Sequence, residues 1–205
     1  MRSLRPHDLV RLSEAHLVHP DAPPWARAAL NVTPWVVVRR ASASHGRIAV
    51  GVRGTTRSDR YAAEIDPADV CEVVTPEDLA LAIPMPDREL AATNALRVVR
   101  PLLEEAGLRW GPTGSVGFEL ATRFPAATPA SDLDLLVQMP RGSSKATGQL
   151  MALSRDLQRL NVRVDCQVET CLGAAALAEL TGSRSDVMVR TPEGPRLMPC
   201  VVAVK

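Results

Sequence analysis

Two aspartates separated by one residue, Asp132 and Asp134 in Ser131-Asp132-Leu133-Asp134-Leu135-Leu136-Val137, have the type and spacing for chemistry. Side chains at positions i and i+2 of a strand leave the same face, with Cα atoms roughly 6 to 7 Å apart. Carboxylates so placed can converge on one Mg²⁺ or bracket a pair of ions. Leu133, Leu135 and Val137 point the other way and can anchor the strand in a core. By itself an Asp-x-Asp pair also reads as a turn followed by a solvated strand end. The residues upstream give it weight. Gly111-Pro112-Thr113-Gly114-Ser115-Val116-Gly117 is a small-residue turn opening a helix. Its glycines permit positive φ and close backbone approach, while Ser115 and the first helical amides can bind phosphate oxygens. No Gly-Lys-Ser/Thr follows, so the turn is not a P-loop, and the glycine spacing does not match G-x-G-x-x-G. A turn of this kind, followed by a strand with two carboxylates, suits the handling of a metal-bound polyphosphate.

A third acid is expected from Val162-Arg163-Val164-Asp165-Cys166-Gln167-Val168-Glu169, where alternation places Val162, Val164, Cys166 and Val168 on one face. Arg163, Asp165, Gln167 and Glu169 share the other. Asp165 is the first candidate and Glu169 the substitute; an edge strand with a solvated polar face is the competing reading. Farther upstream, Gly51 and Gly54 flank Arg53, and Arg57 and Arg60 follow. A guanidinium stays charged and presents a planar fork, so arginines in a glycine-bounded loop suit phosphate contacts, although spacing alone equally allows solvated charge.

These residues need elements to hold them. Asp8 is expected to cap a short helix that buries Leu9 and Leu12, with His7 and His16 as packing or capping residues. Trp35–Arg39 and Arg47–Arg53 read as buried strands. Thr75-Pro76-Glu77-Asp78 starts a helix, and Pro84-Met85-Pro86 marks a boundary between residues 1–86 and 87–205. Arg88 to Ala106 reads as a long amphipathic helix interrupted or kinked near Pro101, closed by Gly107. Leu108–Trp110 is then a short strand delivering the glycine turn. A loop at Arg141–Lys145 leads into a helix ending near Leu160, residues 171–180 read as an Ala/Leu helix, and Asp186–Arg190 opens a closing hairpin. The expected fold class is α+β: a nucleotidyltransferase-like mixed sheet with helices, preceded by a smaller α/β N-terminal domain for substrate or partner binding.

Gly114-Ser115 entering a helix, then Asp132-x-Asp134 on the next strand, resembles the nucleotidyltransferase superfamily related to polymerase β. The longer run from Trp110 to Thr122, with Ser131–Leu135, Asp165–Glu169, Arg5-Pro6-His7-Asp8 and Val50–Gly54, is similar to malonate decarboxylase holo-acyl-carrier-protein synthase, a phosphoribosyl-dephospho-CoA transferase. That resemblance implies transfer of a phosphoribosyl-dephospho-CoA unit from its triphosphate precursor, triphosphoribosyl-dephospho-CoA, to a serine of the acyl carrier protein subunit of malonate decarboxylase. It implies Mg²⁺, or Mn²⁺ in its place, held by Asp132, Asp134 and Asp165 as catalytic residues. Gly114 and Ser115 would steady the leaving pyrophosphate, and Arg53, Arg57 and Arg60 would bind substrate phosphates. The residues alone leave two alternatives: another metal-dependent nucleotidyltransferase acting on a protein or small-molecule hydroxyl, and a noncatalytic nucleotide-binding module.

Composition narrows the classes. A net charge of +1 over 205 residues argues against nonspecific nucleic-acid binding. The absence of a run of 18 apolar residues or a signal-peptide core leads to the expectation of a cytoplasmic protein with no membrane association. Cys71, Cys166, Cys171 and Cys200 form no C-x-x-C pair and are expected to be reduced.

Overall fold

Short Val/Ile/Leu/Trp-rich segments in the first 75 residues pair antiparallel, and the inner ones bury side chains on both faces. The computed structural model describes residues 3–14, 21–56, 58–81, 88–139 and 144–200, side chains of 144–146 excepted. The chain divides into two compact units, 1–75 and 76–205. In the first, β1 (Leu9–Leu12), α1 (Pro24–Val32), β2 (Trp35–Val38), β3 (Ile48–Arg53), β4 (Arg60–Ile65) and β5 (Val70–Val74) form a five-stranded sheet of order β4-β3-β2-β1-β5. Pro24 starts α1 with φ already set for a helix, and Ala26 and Leu30, four residues apart, face the core. They join Val10, Leu12, Val36, Val38, Val50, Val52 and Ile65.

The expected helix after Asp8 is instead strand β1. His7 takes φ 74°, Asp8 N–H donates to the Arg5 carbonyl, and the Asp8 carboxylate accepts the Arg5 amide at 2.8 Å. The aspartate therefore closes a tight turn rather than capping a helix. Leu9, Val10 and Arg11 then pair with β2 on one side and β5 on the other. Two ladders outweigh a local capping signal. His7 donates its backbone N–H to Val38 O, a structural use; His16 lies outside the described residues.

The second unit contains α2 (Pro76–Leu81), α3 (Ala91–Glu105), β6 (Arg109–Pro112), α4 (Gly114–Thr122), β7 (Leu133–Gln138), α5 (Ser144–Leu157), β8 (Val164–Thr170), β9 (Gly173–Ala176), α6 (Leu177–Leu180), β10 (Asp186–Thr191) and β11 (Gly194–Pro199). Their sheet has the order β11-β10-β9-β8-β7-β6. Among the described residues only β7 and β8 run parallel, and α5 lies in the connection between them; the other pairs are antiparallel. The protein is thus α+β, with a mixed sheet in its second unit. No helix among the described residues is long and apolar enough to cross a membrane.

The division falls at Thr75–Pro76 rather than at Pro84–Pro86, because α2 packs on β6. Gly111 in β6 lies so close to Pro76 that a β-carbon there would overlap the Pro76 carbonyl. Residues 82–87 are outside the described set. Helix α3 runs through Pro101 and ends at Gly107, φ 64°. The helix expected over 171–180 is split into β9 and the single turn α6. Gly173, Ala174 and Ala175 are buried between β8 and β10, where small side chains suit a central strand better than their helix propensity suggests.

Candidate active site

The glycine turn, Asp134 and Asp165 are brought together by three neighbouring strands. Strand β6 pairs with β7 so that Pro112 faces Leu135, and Thr113, one residue on, donates its N–H to Asp134 O at 2.9 Å. Strand β8 lies on the other side of β7, with Asp165 in direct register with Asp134. Register partners in a parallel pair present side chains to the same face, with strands about 4.8 Å apart. The two carboxylates are therefore neighbours on one face, beside the turn that begins α4.

Gly114 is required twice over. It takes φ 60°, and a β-carbon built on it would overlap the Asp134 carboxylate. Only glycine lets the backbone of the turn lie directly on that acid. Thr113, the residue before the helix, is extended and makes no side-chain capping bond, so no side chain from the cap position occupies the first amides of α4. Ser115 is 8% exposed and sits in that first turn. Turn and acid thus lie in contact, as the sequence pattern suggests.

Asp132 is held differently. It precedes β7, and its Oδ2 lies 3.5 Å from Arg163 Nη1, with the aspartate side chain 21% exposed. Arg163 is the residue just before β8, and its carbonyl accepts the Leu133 amide. The entrances to the two acid strands are thereby tied together. Among the described residues, no group of three His, Cys, Asp or Glu side chains is gathered at metal-binding spacing. The donor chemistry nevertheless suits a hard cation: Asp134 and Asp165 offer oxygen ligands side by side, and Mg²⁺ is commonly held by one or two carboxylates, with substrate phosphates and water completing the shell. Asp132 is two residues from Asp134, ahead of β7, and is paired with the Arg163 guanidinium. Glu169 lies four residues along β8 from Asp165, opposite Gln138.

Cys166, next to Asp165, turns to the opposite, buried face. Burial, reinforced by the Asp165 charge, pushes its thiol up to about 12. It is a packing residue, not a nucleophile, at neutral pH.

The first unit holds the arginines. Arg53 ends β3 and Arg60 begins β4, and the two face each other in the ladder. They are strand-end residues rather than members of a flexible loop, because the connection is closed by its own bonds. Gly54 N–H donates to Asp59 O at 3.0 Å, and Thr56 N–H donates to Asp59 Oδ2 at 3.0 Å. Hydrogen bonds from the Thr56 side chain and backbone hold the Asp59 carboxyl below its ordinary value. The Arg60 guanidinium donates to Asp59 O at 3.0 Å. Arg57, and the loop from Arg141 to Lys145 at its side chains, lie outside the described residues.

Two residues with structural weight carried no assignment in the sequence reading. One is Arg163. The other is Glu119, a carboxylate in α4 only 5% exposed. The signal for it was present: a lone acid between Phe118 and Leu120 in an otherwise apolar helical stretch needs buried donors.

Comparison with known proteins follows the same two-part division. Residues 5–76 match the family model described as the phosphoribosyl-dephospho-CoA transferase MdcG N-terminal domain, and residues 78–200 match the corresponding C-terminal domain. The chain is 39% identical over 198 residues to a phosphoribosyl-dephospho-CoA transferase of Pseudomonas putida (strain GB-1), covering 97% of this chain and 95% of the relative. It is 39% identical over 194 residues to that of Pseudomonas aeruginosa, covering 94% and 91%. It is 38% identical over 200 residues to that of Azotobacter vinelandii, covering 95% and 92%. No solved structure matches the chain.

Proposed function

The chain belongs to the phosphoribosyl-dephospho-CoA transferase family, and from that premise we propose that it moves the phosphoribosyl-dephospho-CoA group from its triphosphate precursor to a serine of the malonate decarboxylase acyl carrier protein. Pyrophosphate leaves. The observation that carries this reading is the contact of Gly114 with the Asp134 carboxylate, in register with Asp165 on the parallel neighbour. That adjacency of a glycine turn and a pair of acids supports the handling of a metal-bound polyphosphate.

The serine hydroxyl attacks the phosphorus nearest the ribose. One P–O bond forms as the bond to pyrophosphate breaks, and a phosphodiester remains. Asp132, Asp134 and Asp165 would hold Mg²⁺, or Mn²⁺ in its place. The ion supplies charge neutralisation on the phosphates and favours the deprotonated hydroxyl. Asp165, on the strand beside Asp134, either completes that set or accepts the serine proton. The amides opening α4, with Ser115, donate to the departing pyrophosphate. Arg53, Arg57 and Arg60 are assigned to precursor phosphates.

The test is incubation of the purified protein with Mg²⁺, the apo carrier protein and the precursor. Intact mass spectrometry of the carrier should show a gain of one phosphoribosyl-dephospho-CoA group, matched one to one by pyrophosphate. An unmodified carrier overturns the reading. Equal transfer from ordinary nucleoside triphosphates points to a different nucleotidyl donor.

A further inference from the structure

Glu119 is a carboxylate taken out of water and then fully engaged. Its Oε2 accepts the amides of Ala126 at 2.9 Å and Ala127 at 2.8 Å. Arg88 Nη1 reaches both oxygens, at 3.2 and 3.1 Å. The glutamate side chain is 6% exposed while that of Arg88 is 43% exposed. Three segments therefore meet at one buried group: α4, the chain leaving α4, and the residue that leads into α3.

The path of that chain gives the contact its meaning. Helix α4 stops at Arg123, which takes φ 61° and donates its N–H to Glu119 O. The backbone turns, donates two amides to the Glu119 side chain, and passes through a turn in which Thr128 N–H donates to Ser131 Oγ. Asp132 is the next residue. One end of α4 presents Gly114 and Ser115; near the other end, Glu119 fixes the connection that delivers Asp132 and Asp134. We propose that the Glu119–Arg88 pair is a positioning device for the transfer reaction, setting the phosphate-binding turn against the acid strand. In this proposal both act through the connection they brace. The inference rests on the proposed transfer reaction, because its effect is read in turnover.

The chemistry favours a rigid brace. A buried carboxylate accepting two backbone amides and a guanidinium exchanges its hydration for charge-assisted bonds, and removing one partner exposes the desolvation cost of the other. Glu119→Gln keeps the shape and an oxygen for Ala126 and Ala127, but sets an NH₂ against the Arg88 guanidinium. Two donors then face each other at Oε1, and the tie between α4, with the connection it holds, and the residue leading into α3 is loosened, while the Ala126 and Ala127 bonds remain. A reacting geometry loosened by about 1 Å costs on the order of 100-fold in rate.

The experiment compares wild type, Glu119→Gln and the milder Arg88→Lys in the full chain. It measures kcat per folded molecule, KM for precursor and carrier, precursor affinity by calorimetry, and the melting midpoint. The expected result is a kcat lower by roughly 10- to 100-fold, with precursor affinity and both KM values within about threefold of wild type. Arg88→Lys, which retains a charged donor, should show a smaller loss of kcat than Glu119→Gln. A lower melting midpoint with unchanged kcat in the folded fraction assigns Glu119 to stability alone and overturns the inference. Should Glu119→Gln fail to fold, Arg88→Lys and Arg88→Gln decide by the same criterion, since Arg88 is half-exposed. Failure of the wild type to modify the carrier would strike the proposed function instead, and calorimetry would still report whether the variants bind precursor as wild type does.

Discussion

Replacing Gly114 by alanine applies a methyl group to the point where backbone and carboxylate meet. Two costs follow from the geometry. A non-glycine residue in the left-handed region loses about 1–2 kcal/mol, and Gly114 has φ 60°. The added carbon would also overlap the Asp134 carboxylate, so that side chain must leave its well, at a further cost of about 0.5–1.5 kcal/mol. The sum is about 1.5–3.5 kcal/mol, and at about 2–4 °C per kcal/mol for a chain of this size the melting midpoint should fall by about 3–14 °C. Turnover should fall much further than stability. Moving a catalytic group by about 1 Å costs on the order of 100-fold, and Gly114→Ala moves Asp134 directly. The control is the same substitution at Gly148 in α5, where a β-carbon meets nothing within 4 Å. There alanine should add about 0.5–1 kcal/mol by relieving glycine's helix penalty, and leave activity unchanged. The assay is carrier modification by intact mass, at a temperature where both variants are folded, alongside thermal melts. A Gly114→Ala enzyme with kcat within about threefold of wild type would refute the placement of the turn against the acid, since the displacement argument requires far more.

The remaining predictions address the other residues. Asp134→Asn and Asp132→Asn should each lower pyrophosphate release by at least about two orders of magnitude while folding is preserved, the scale of losing a principal electrostatic catalyst; circular dichroism and phosphate-coupled kinetics check both halves, and near-wild-type turnover contradicts the metal assignment. Arg53→Ala should weaken precursor binding in calorimetry, and an unchanged affinity would return Arg53 to the role of a strand-end surface charge. A maleimide pulse at neutral pH should label Cys71 and Cys171, both exposed, and spare Cys166 until the chain is unfolded, because burial holds that thiol protonated. The same group sets a pH dependence. Its folded value of about 12 lies above the ordinary 9.0, so the unfolded chain loses this proton first. Its contribution is complete below about pH 9 and is lost as pH rises toward 12. A Cys166→Ala variant followed by denaturant titration should show a flatter loss of stability across that window, and identical slopes for the two proteins would exclude the thiol as the source.

The candidate residues of the site were legible in one dimension because their placement depends on short spacings. Asp-x-Asp on a strand, a glycine turn opening a helix and a clean alternation around Asp165 each fix which side chains share a face, and face is decided by backbone period alone. The α+β class was legible for the same reason. Order and pairing were not. Leu9–Leu12 carries a capping aspartate just ahead of it, and only the ladders to β2 and β5 make it a strand. Gly173–Ala176 has helix-forming alanines and becomes a central strand because it pairs with β8 on one side and β10 on the other. That Asp165 should stand beside Asp134, that Arg163 should hold Asp132, and that Glu119 should tie the turn to the acid strand all depend on contacts between residues far apart in sequence. Such contacts form when whole elements bury their apolar faces together, and no local pattern encodes the register in which they meet.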